Sequence, residues 1–182
     1  YATNANNAIE MESSKMAVIF EREFDKKFNK QLFGKKAPSY AEDQKASVGG
    51  IEMQVLFAPE DDPMSTILVE LNKAKKSIFF MQFAFTDETV TTVLLTKFKA
   101  KVQVGGIFDH RLYRSTGPYG DFSALMRAGV PVQLFAGPGL LHHKLFIVDA
   151  GTPHATVITG SQNASARGND NNDENVLIVH DK

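Results

Sequence analysis

From Ile51 onward the sequence alternates between segments with strand-like and helix-like patterns of apolar residues. The strand-like segments are IEMQVLF, SIFFMQFAF, KVQVGGIFD and VPVQLF, and the helix-like segments between them are MSTILVELNKAKK, ETVTTVLLTKFKA and DFSALMRAG. Three more strand-like segments follow without a long helix between them: HKLFIVD, ATVITG and NVLIVHD. Strands that alternate with helices are typical of layered α/β domains. We therefore predict an α/β fold over residues 51–182, with a mixed β-sheet flanked by helices.

The N-terminal part of the chain has a different pattern. Apolar residues at helical spacing follow a capping serine and predict a helix from about Ser14 to Leu32. The next stretch, GKKAPSYAEDQKASVGG, mixes glycine, proline, serine and charge and reads as a linker over residues 34–50. The start NNAIEMESSKMA aligns with the end ENVLIVHDK, so we interpret residues 1–33 as a strand and a helix that close a preceding repeat.

Composition excludes several classes of site. The chain has no cysteine, which removes disulfides, thiolate zinc sites and cysteine nucleophiles and leaves the cellular compartment open. The net charge is −1, so bulk electrostatics do not favour binding to polyanions. No apolar run approaches the roughly 20 residues that cross a bilayer. The histidines do not have the spacing of known metal-binding motifs, and we expect no metal and no cofactor.

The segment HHKLFIVD carries ionisable residues in a strand that is otherwise apolar. His142 and Lys144 are two residues apart, so an extended strand directs both to one face. Asp149 follows at the end of the strand, where a carboxylate can orient or balance a neighbouring group. This pattern alone also fits a polar strand edge with a solvated lysine.

Polar residues in the next two strands extend the set. Ser161 and Asn163 are again two apart, and Glu174 begins the last strand. A phosphodiester that undergoes displacement develops negative charge on its equatorial oxygens, which a lysine, a serine and an asparagine can stabilise. An imidazole can attack phosphorus if a carboxylate fixes its tautomer, and Glu174 suits that role. The residues together therefore indicate phosphodiester chemistry.

These residues resemble the HKD motif of the phospholipase D superfamily. The pattern H-x-K-x4-D is followed by G-S-x-N and by an acidic position, and the residues that match are His142, Lys144, Asp149, Gly160, Ser161, Asn163 and Glu174. The resemblance implies a phospholipase D-like layered fold and metal-independent cleavage of a phosphodiester substrate. It implies that His142 forms a covalent phosphohistidine and that Lys144 and Asn163 bind the phosphate oxygens, with support from Ser161. Asp149 is then more structural than chemical.

The sequence departs from the complete family pattern because it contains one HKD motif. His110, His154 and His180 have no lysine two residues later. The resemblance implies a second motif, whose histidine acts as general acid for the leaving alcohol. We expect this motif either from a missing first half of the chain or from a homodimer partner, and the repeat-like tail at residues 1–33 favours the missing half.

The sequence leaves the substrate open. The short repeat and the absence of apolar loops slightly favour a nuclease-like enzyme, while phospholipid headgroup esters and a catalytically inactive phosphate-binding or nucleic-acid-binding domain are the alternatives. The segment FDHRLYRSTG, with Asp109, Arg111 and Arg114, is either a substrate-contacting loop or a solvated one. Lys97 belongs to an exposed helix end or contacts phosphate.

Overall fold

The computed structural model describes residues 3–116 and 120–180. The predicted domain limits at residues 1–2 and 181–182 lie outside the described residues. The strands are β1 (Lys45–Val48), β2 (Ile51–Ala58), β3 (Ser77–Gln82), β4 (Gln103–Phe108), β5 (Val132–Leu134), β6 (Lys144–Val148), β7 (Thr156–Gly160) and β8 (Glu174–His180). The α-helices are α1 (Ser14–Phe28), α2 (Pro63–Lys73), α3 (Glu88–Lys99), α4 (His110–Thr116), α5 (Asp121–Arg127) and α6 (Ala166–Asp170). Short 3₁₀ helices lie at Gly34–Lys36 and Ala41–Asp43.

The strands form one mixed sheet in the order β1-β2-β8-β7-β6-β3-β4-β5. The pairs β3–β4 and β4–β5 are parallel and the other pairs are antiparallel. Parallel pairs need crossover connections, which α3 and the segment containing α4 and α5 provide. The fold class predicted from the sequence, a mixed sheet flanked by helices, is confirmed.

Alternate residues of the central strands pack on opposite sides of the sheet. On β2, Leu56 belongs to the large core beneath α2, α3 and α5, while Val55 and Phe57 belong to a smaller core beneath α1. On β8, Ile178 and Leu177 divide in the same way. The sheet therefore has helices on both faces, and the N-terminal helix forms its own layer against β1, β2 and β8.

Part of the predicted linker is a strand. Residues 45–48 pair antiparallel with β2 across a turn at Gly49 and Gly50, both of which have positive φ. A two-glycine turn of this kind connects hairpin strands. The linker is therefore shorter than the predicted 34–50, because the glycines that suggested flexibility instead form a tight turn.

The N-terminal segment also differs from expectation in two places. Helix α1 begins at Ser14 behind the Ser13 cap as predicted, but it ends at Phe28, and Gln31 then adopts a left-handed φ of 53°. The described part of the tail, residues 3–13, has no strand and contributes one isolated parallel bridge, between Ala5 and Leu141. A segment that pairs with its neighbour at a single residue can form one bridge without extending into a ladder of paired residues. No helix in residues 3–116 or 120–180 has the length and apolar character to span a membrane.

Candidate active site

Most of the predicted site residues line one cavity of about 860 Å³. The cavity lies at the end of the sheet where β6 and β8 begin and β7 ends. Its polar side contains His142, Lys144, Ser161, Asn163 and Glu174. The opposite side is formed by the N-terminal tail and by the first turns of α1. The structure therefore brings these five predicted residues together at one cavity.

His142 precedes β6 and is exposed to the cavity. Its ring packs against Phe83 at a centroid distance of 4.8 Å. Partial desolvation lowers the pKa of the imidazole below its ordinary value, and the Lys144 cation lowers it further, while the charges of Asp109 and Glu174 oppose the change. A neutral imidazole with a free lone pair is the form that can act as a nucleophile.

Lys144 is the first residue of β6, and its side chain is buried. Its ammonium donates a hydrogen bond of 2.9 Å to the carbonyl of His142 and lies 5.0 Å from the centre of the Phe83 ring. Burial lowers the pKa of Lys144 to about 8, and the charge of Glu174 partly offsets this effect. No salt bridge to Lys144 forms within the described residues, so its ammonium has no directly bonded carboxylate there.

Ser161 and Asn163 follow β7 and make fixed contacts with the backbone. The Ser161 hydroxyl accepts a hydrogen bond from the Asn175 N–H at 3.0 Å. The Asn163 side-chain oxygen accepts one from the Ala84 N–H at 3.2 Å. That bond fixes the orientation of the Asn163 amide. Its oxygen faces the backbone, and its NH₂ group is the end that is left to donate to a ligand. The backbone thus fixes both side chains at the cavity wall.

Glu174 starts β8 and lines the same cavity, but it does not bind the His142 ring. Its carboxylate accepts a hydrogen bond of 3.0 Å from the side chain of Asn172. Among the described residues, the His142 ring nitrogens have no hydrogen-bond partner. The expectation that Glu174 fixes the tautomer of His142 therefore has no hydrogen bond to support it here, and Glu174 acts on His142 through its charge.

Asp149 lies at the other end of β6, away from this cavity. It is buried, and its carboxylate accepts hydrogen bonds from the backbone N–H groups of Lys75, Lys76 and Ser77 at 2.7–3.0 Å. Burial acts to raise the pKa of Asp149, but these hydrogen bonds outweigh it and hold the pKa below its ordinary value. The carboxylate ties the α2–β3 connection to β6, which is a structural role.

Sequence reasoning missed Phe83 and the buried structural role of Asp109, both of which contact the segment that carries His142. Asp109 is buried and accepts hydrogen bonds from the N–H groups of Arg111 and Leu112, at the start of α4, and from that of Leu141. The segment after β4 is therefore a helix rather than a loop. Phe83, which lies in the strand-like segment SIFFMQFAF of the sequence, packs on His142. No local pattern distinguishes either residue from an ordinary helix cap or core residue.

Lys97 has a structural contact instead of a phosphate contact. Its ammonium donates to the carbonyl of Asn72 and, at 3.0 Å, to that of Ala74, at the end of α2. A cation at a helix C-terminus stabilises the unpaired carbonyls there. Within the described residues, no group of three or more histidine, aspartate or glutamate side chains is placed to hold a metal ion.

Comparison with known proteins places these residues in a family context. The family described as "Cardiolipin synthase, PLD-like domain" matches residues 67–182. A phospholipase D from Rickettsia conorii is 28% identical over 131 residues, which are 72% of this chain and 62% of the relative. A mitochondrial cardiolipin hydrolase from Xenopus laevis is 33% identical over 121 residues, 66% of this chain and 55% of the relative. The chain thus spans about 55–62% of the length of these relatives.

A solved structure gives the same result for the fold. Nuc from Salmonella typhimurium, described as a phospholipase D family member, superimposes with a TM-score of 0.63 at 28% identity. The match covers 72% of this chain and 84% of that one. The matched sequence range in the family comparison includes every predicted site residue from His142 to Glu174.

Proposed function

Because this chain belongs to the phospholipase D superfamily, we propose that it is a phosphodiester hydrolase that acts through a covalent intermediate on His142. The observation that carries the proposal is the convergence of His142, Lys144 and Asn163 on one cavity. Lys144 lies there without a carboxylate partner, in an environment that lowers its pKa to about 8. An incoming phosphodiester would supply the missing negative charge.

In the proposed reaction the neutral imidazole of His142 attacks phosphorus. A P–N bond forms, the P–O bond to the leaving alcohol breaks, and that alcohol takes a proton from a general acid. Water then attacks the phosphohistidine and gives a proton to the deprotonated general acid, the P–N bond breaks, His142 regains its neutral imidazole and a phosphomonoester leaves. Lys144 and the NH₂ group of Asn163 stabilise the charge on the phosphate oxygens in both steps, with support from Ser161. We propose that no metal ion takes part.

The proposed reaction requires two groups beyond the residues of this cavity. They are a general acid for the leaving alcohol and a hydrogen-bond acceptor for the His142 ring. Among the described residues, no second histidine lines the cavity beside His142. The ring of His142 has no hydrogen-bond partner among them either. A second HKD motif, which would stand opposite this cavity, supplies both groups in our proposal. The tail that resembles the end of a repeat favours a first half of the same protein as its source, and a homodimer is the alternative.

The cavity favours an amphiphilic diester over a nucleic acid. Its tail-and-helix side presents Ile9, Met11, Met16 and Phe20, which are apolar. A polynucleotide site instead carries lysines and arginines that follow the phosphate backbone. Because of this apolar side of the cavity, we propose a phospholipid headgroup ester as the substrate in place of the nuclease-like substrate that the sequence slightly favours. The names of the matched relatives, a phospholipase D and a cardiolipin hydrolase, support this choice.

The test measures hydrolysis by the protein in its active assembly, in the presence of EDTA. Three substrates are compared: a chromogenic aryl phosphodiester, phospholipid vesicles and single-stranded DNA. We expect hydrolysis of the aryl diester and of the vesicles, and its loss in His142→Asn. His154→Asn, which changes an exposed histidine far from the cavity, is the matched control. Cleavage of DNA alone would support the nuclease alternative, a strict need for added metal would contradict the mechanism, and inactivity on all substrates would favour a binding domain.

A further inference from the structure

Three consecutive backbone N–H groups hold the loop that carries His142. The N–H of Leu140 donates to the side-chain oxygen of Asn4 at 3.0 Å. The N–H of Leu141 donates to Asp109 at 2.9 Å, and the N–H of His142 donates to the carbonyl of Ala5 at 2.9 Å. The loop has no regular secondary structure of its own between β5 and β6. Its conformation before the nucleophile therefore depends on these three acceptors.

Two of the three acceptors belong to residues 3–7, which we call the strap. Ala5 makes a second backbone bond, from its own N–H to the carbonyl of Leu140 at 2.8 Å, and so forms the bridge to Leu141. Contact is close at Gly139, where a β-carbon would come within 1.8 Å of the Thr3 carbonyl oxygen. Glycine at 139 is therefore the residue that allows the strap to lie against the loop.

Asn7 holds the other end of the strap in place through two side-chain hydrogen bonds. Its side-chain oxygen lies 2.8 Å from Nδ1 of His143, and its NH₂ group donates to the Thr159 hydroxyl at 2.9 Å. Asn7 thereby joins the strap to the residue after His142 and to β7, and it also lines the site cavity. The strap contacts the loop on both sides of the nucleophile.

We propose that the strap positions His142 for attack, with Asn4 and Asn7 as positioning residues that act through Leu140 and His143. The inference rests on the proposed role of His142. It assigns a function to a part of the tail that has no regular secondary structure. A free loop of this kind samples several conformations, and the acceptors in the strap select one of them. Misplacement of a reacting group by about 1 Å can cost about 100-fold in rate.

Asn4 offers a matched pair of variants. Asn4→Leu removes the acceptor and keeps the branching of the side chain at Cγ, whereas Asn4→Asp keeps an oxygen for the Leu140 N–H. In Asn4→Leu we expect amide exchange at Leu140 and His142 to become roughly tenfold faster, since local opening controls exchange. We expect kcat to fall roughly tenfold, with KM little changed because the phosphate ligands stay in place. Asn4→Asp should restore both quantities.

The titration of His142, followed by NMR, separates positioning from simple loss of structure. With the strap released, the ring becomes better solvated, so its pKa should rise toward the ordinary value in Asn4→Leu. Unchanged exchange at Leu140, or an unchanged titration and kcat despite faster exchange, would overturn the inference. If the unmodified protein hydrolyses no diester, the proposed function fails, and exchange together with the titration still decides whether the strap positions His142.

Discussion

Two buried lysines of this protein have opposite electrostatic environments. Lys26 on α1 is 1% exposed and has two carboxylates, from Glu23 and Glu60, at 2.6 and 2.7 Å. Burial acts to lower its pKa, but the hydrogen bonds that its ammonium donates to these two carboxylates outweigh burial and raise the pKa above the ordinary value. Lys144 is 7% exposed and has a carbonyl and an aromatic ring as neighbours, and burial lowers its pKa to about 8.

This difference in charged neighbours indicates different roles for the two lysines. In our account Lys26 stabilises the fold and Lys144 binds a ligand. Lys26 ties α1 to the end of β2 through Glu60 and to the Pro38 carbonyl, so its charge is neutralised within the protein. Lys144 lines the cavity and, among the described residues, forms no salt bridge, so the charge of Glu174 compensates it only in part. A buried cation without a carboxylate partner costs free energy of folding, and in our account a bound phosphodiester offsets that cost.

The largest expected effect is the loss of catalysis in Lys144→Met. Removal of one group that stabilises charge in the transition state typically lowers kcat by 10²–10³-fold. We expect a decrease of that order in kcat/KM for the aryl phosphodiester. Lys26→Met is the matched control, and its activity per folded molecule should equal that of the unmodified protein. Equal activity of Lys144→Met and the unmodified protein would remove Lys144 from the mechanism.

The free energy of unfolding should respond to the two substitutions in the opposite order, with the larger loss in Lys26→Met. Lys26→Met leaves Glu23 and Glu60 buried without their cation, which should lower the free energy of unfolding by about 3–5 kcal/mol. Lys144→Met removes a poorly compensated charge and should leave the free energy of unfolding at pH 7 unchanged or higher. Denaturant unfolding of both variants and of the unmodified protein measures the two effects. A larger loss of stability in Lys144→Met than in Lys26→Met would contradict the distinction between the two lysines.

The sequence locates the residues that line the cavity better than it locates the residues that support them. The motif H-x-K and the pair Ser161 and Asn163 are recognisable from local spacing on adjacent strands, so their placement in one site could be predicted before the structure. The neighbours of Lys144 and Lys26 could not, because Phe83 and Glu60 meet these lysines only after the chain has folded.

The same reasoning explains the errors in the fold. Alternating apolar patterns locate the strands from Ile51 onward, since burial on two faces determines those patterns. The hairpin at Gly49–Gly50 was assigned to a linker because glycine marks both tight turns and flexible segments. The strap lacks any periodicity, and the hydrogen bonds that join it to the loop before β6 are to residues more than 130 positions away.

The pH dependence of stability gives the smallest of these effects. The folded-state pKa of Lys144, about 8, lies below its unfolded value near 10.5. The unfolded chain therefore binds more protons between these two values, and stability should rise as the pH increases from about 8 to about 10.5. Because one pKa unit corresponds to about 1.4 kcal/mol, we expect an increase of roughly 1–3 kcal/mol. Chemical denaturation of the unmodified protein and of Lys144→Met across this range should show the rise in the unmodified protein and its loss in the variant.

An identical pH profile in Lys144→Met and the unmodified protein would mean that Lys144 retains its ordinary pKa in the fold. Lys26 gives the contrasting case, because its folded-state pKa is raised. The stability that it contributes is fully present below its unfolded pKa and is lost as the pH rises through the higher folded-state value. The two lysines thus have pH effects of opposite sign.

The central claim is that His142 carries the phosphoryl group during turnover. Rapid acid-free quenching of the active assembly with a substrate labelled at phosphorus, followed by peptide mass spectrometry, tests it directly. We predict a phosphoramidate that is stable in base and labile in acid, located on His142 and absent in His142→Asn. Hydrolysis at full rate with no labelled peptide, or with the label on any other residue, would contradict the account.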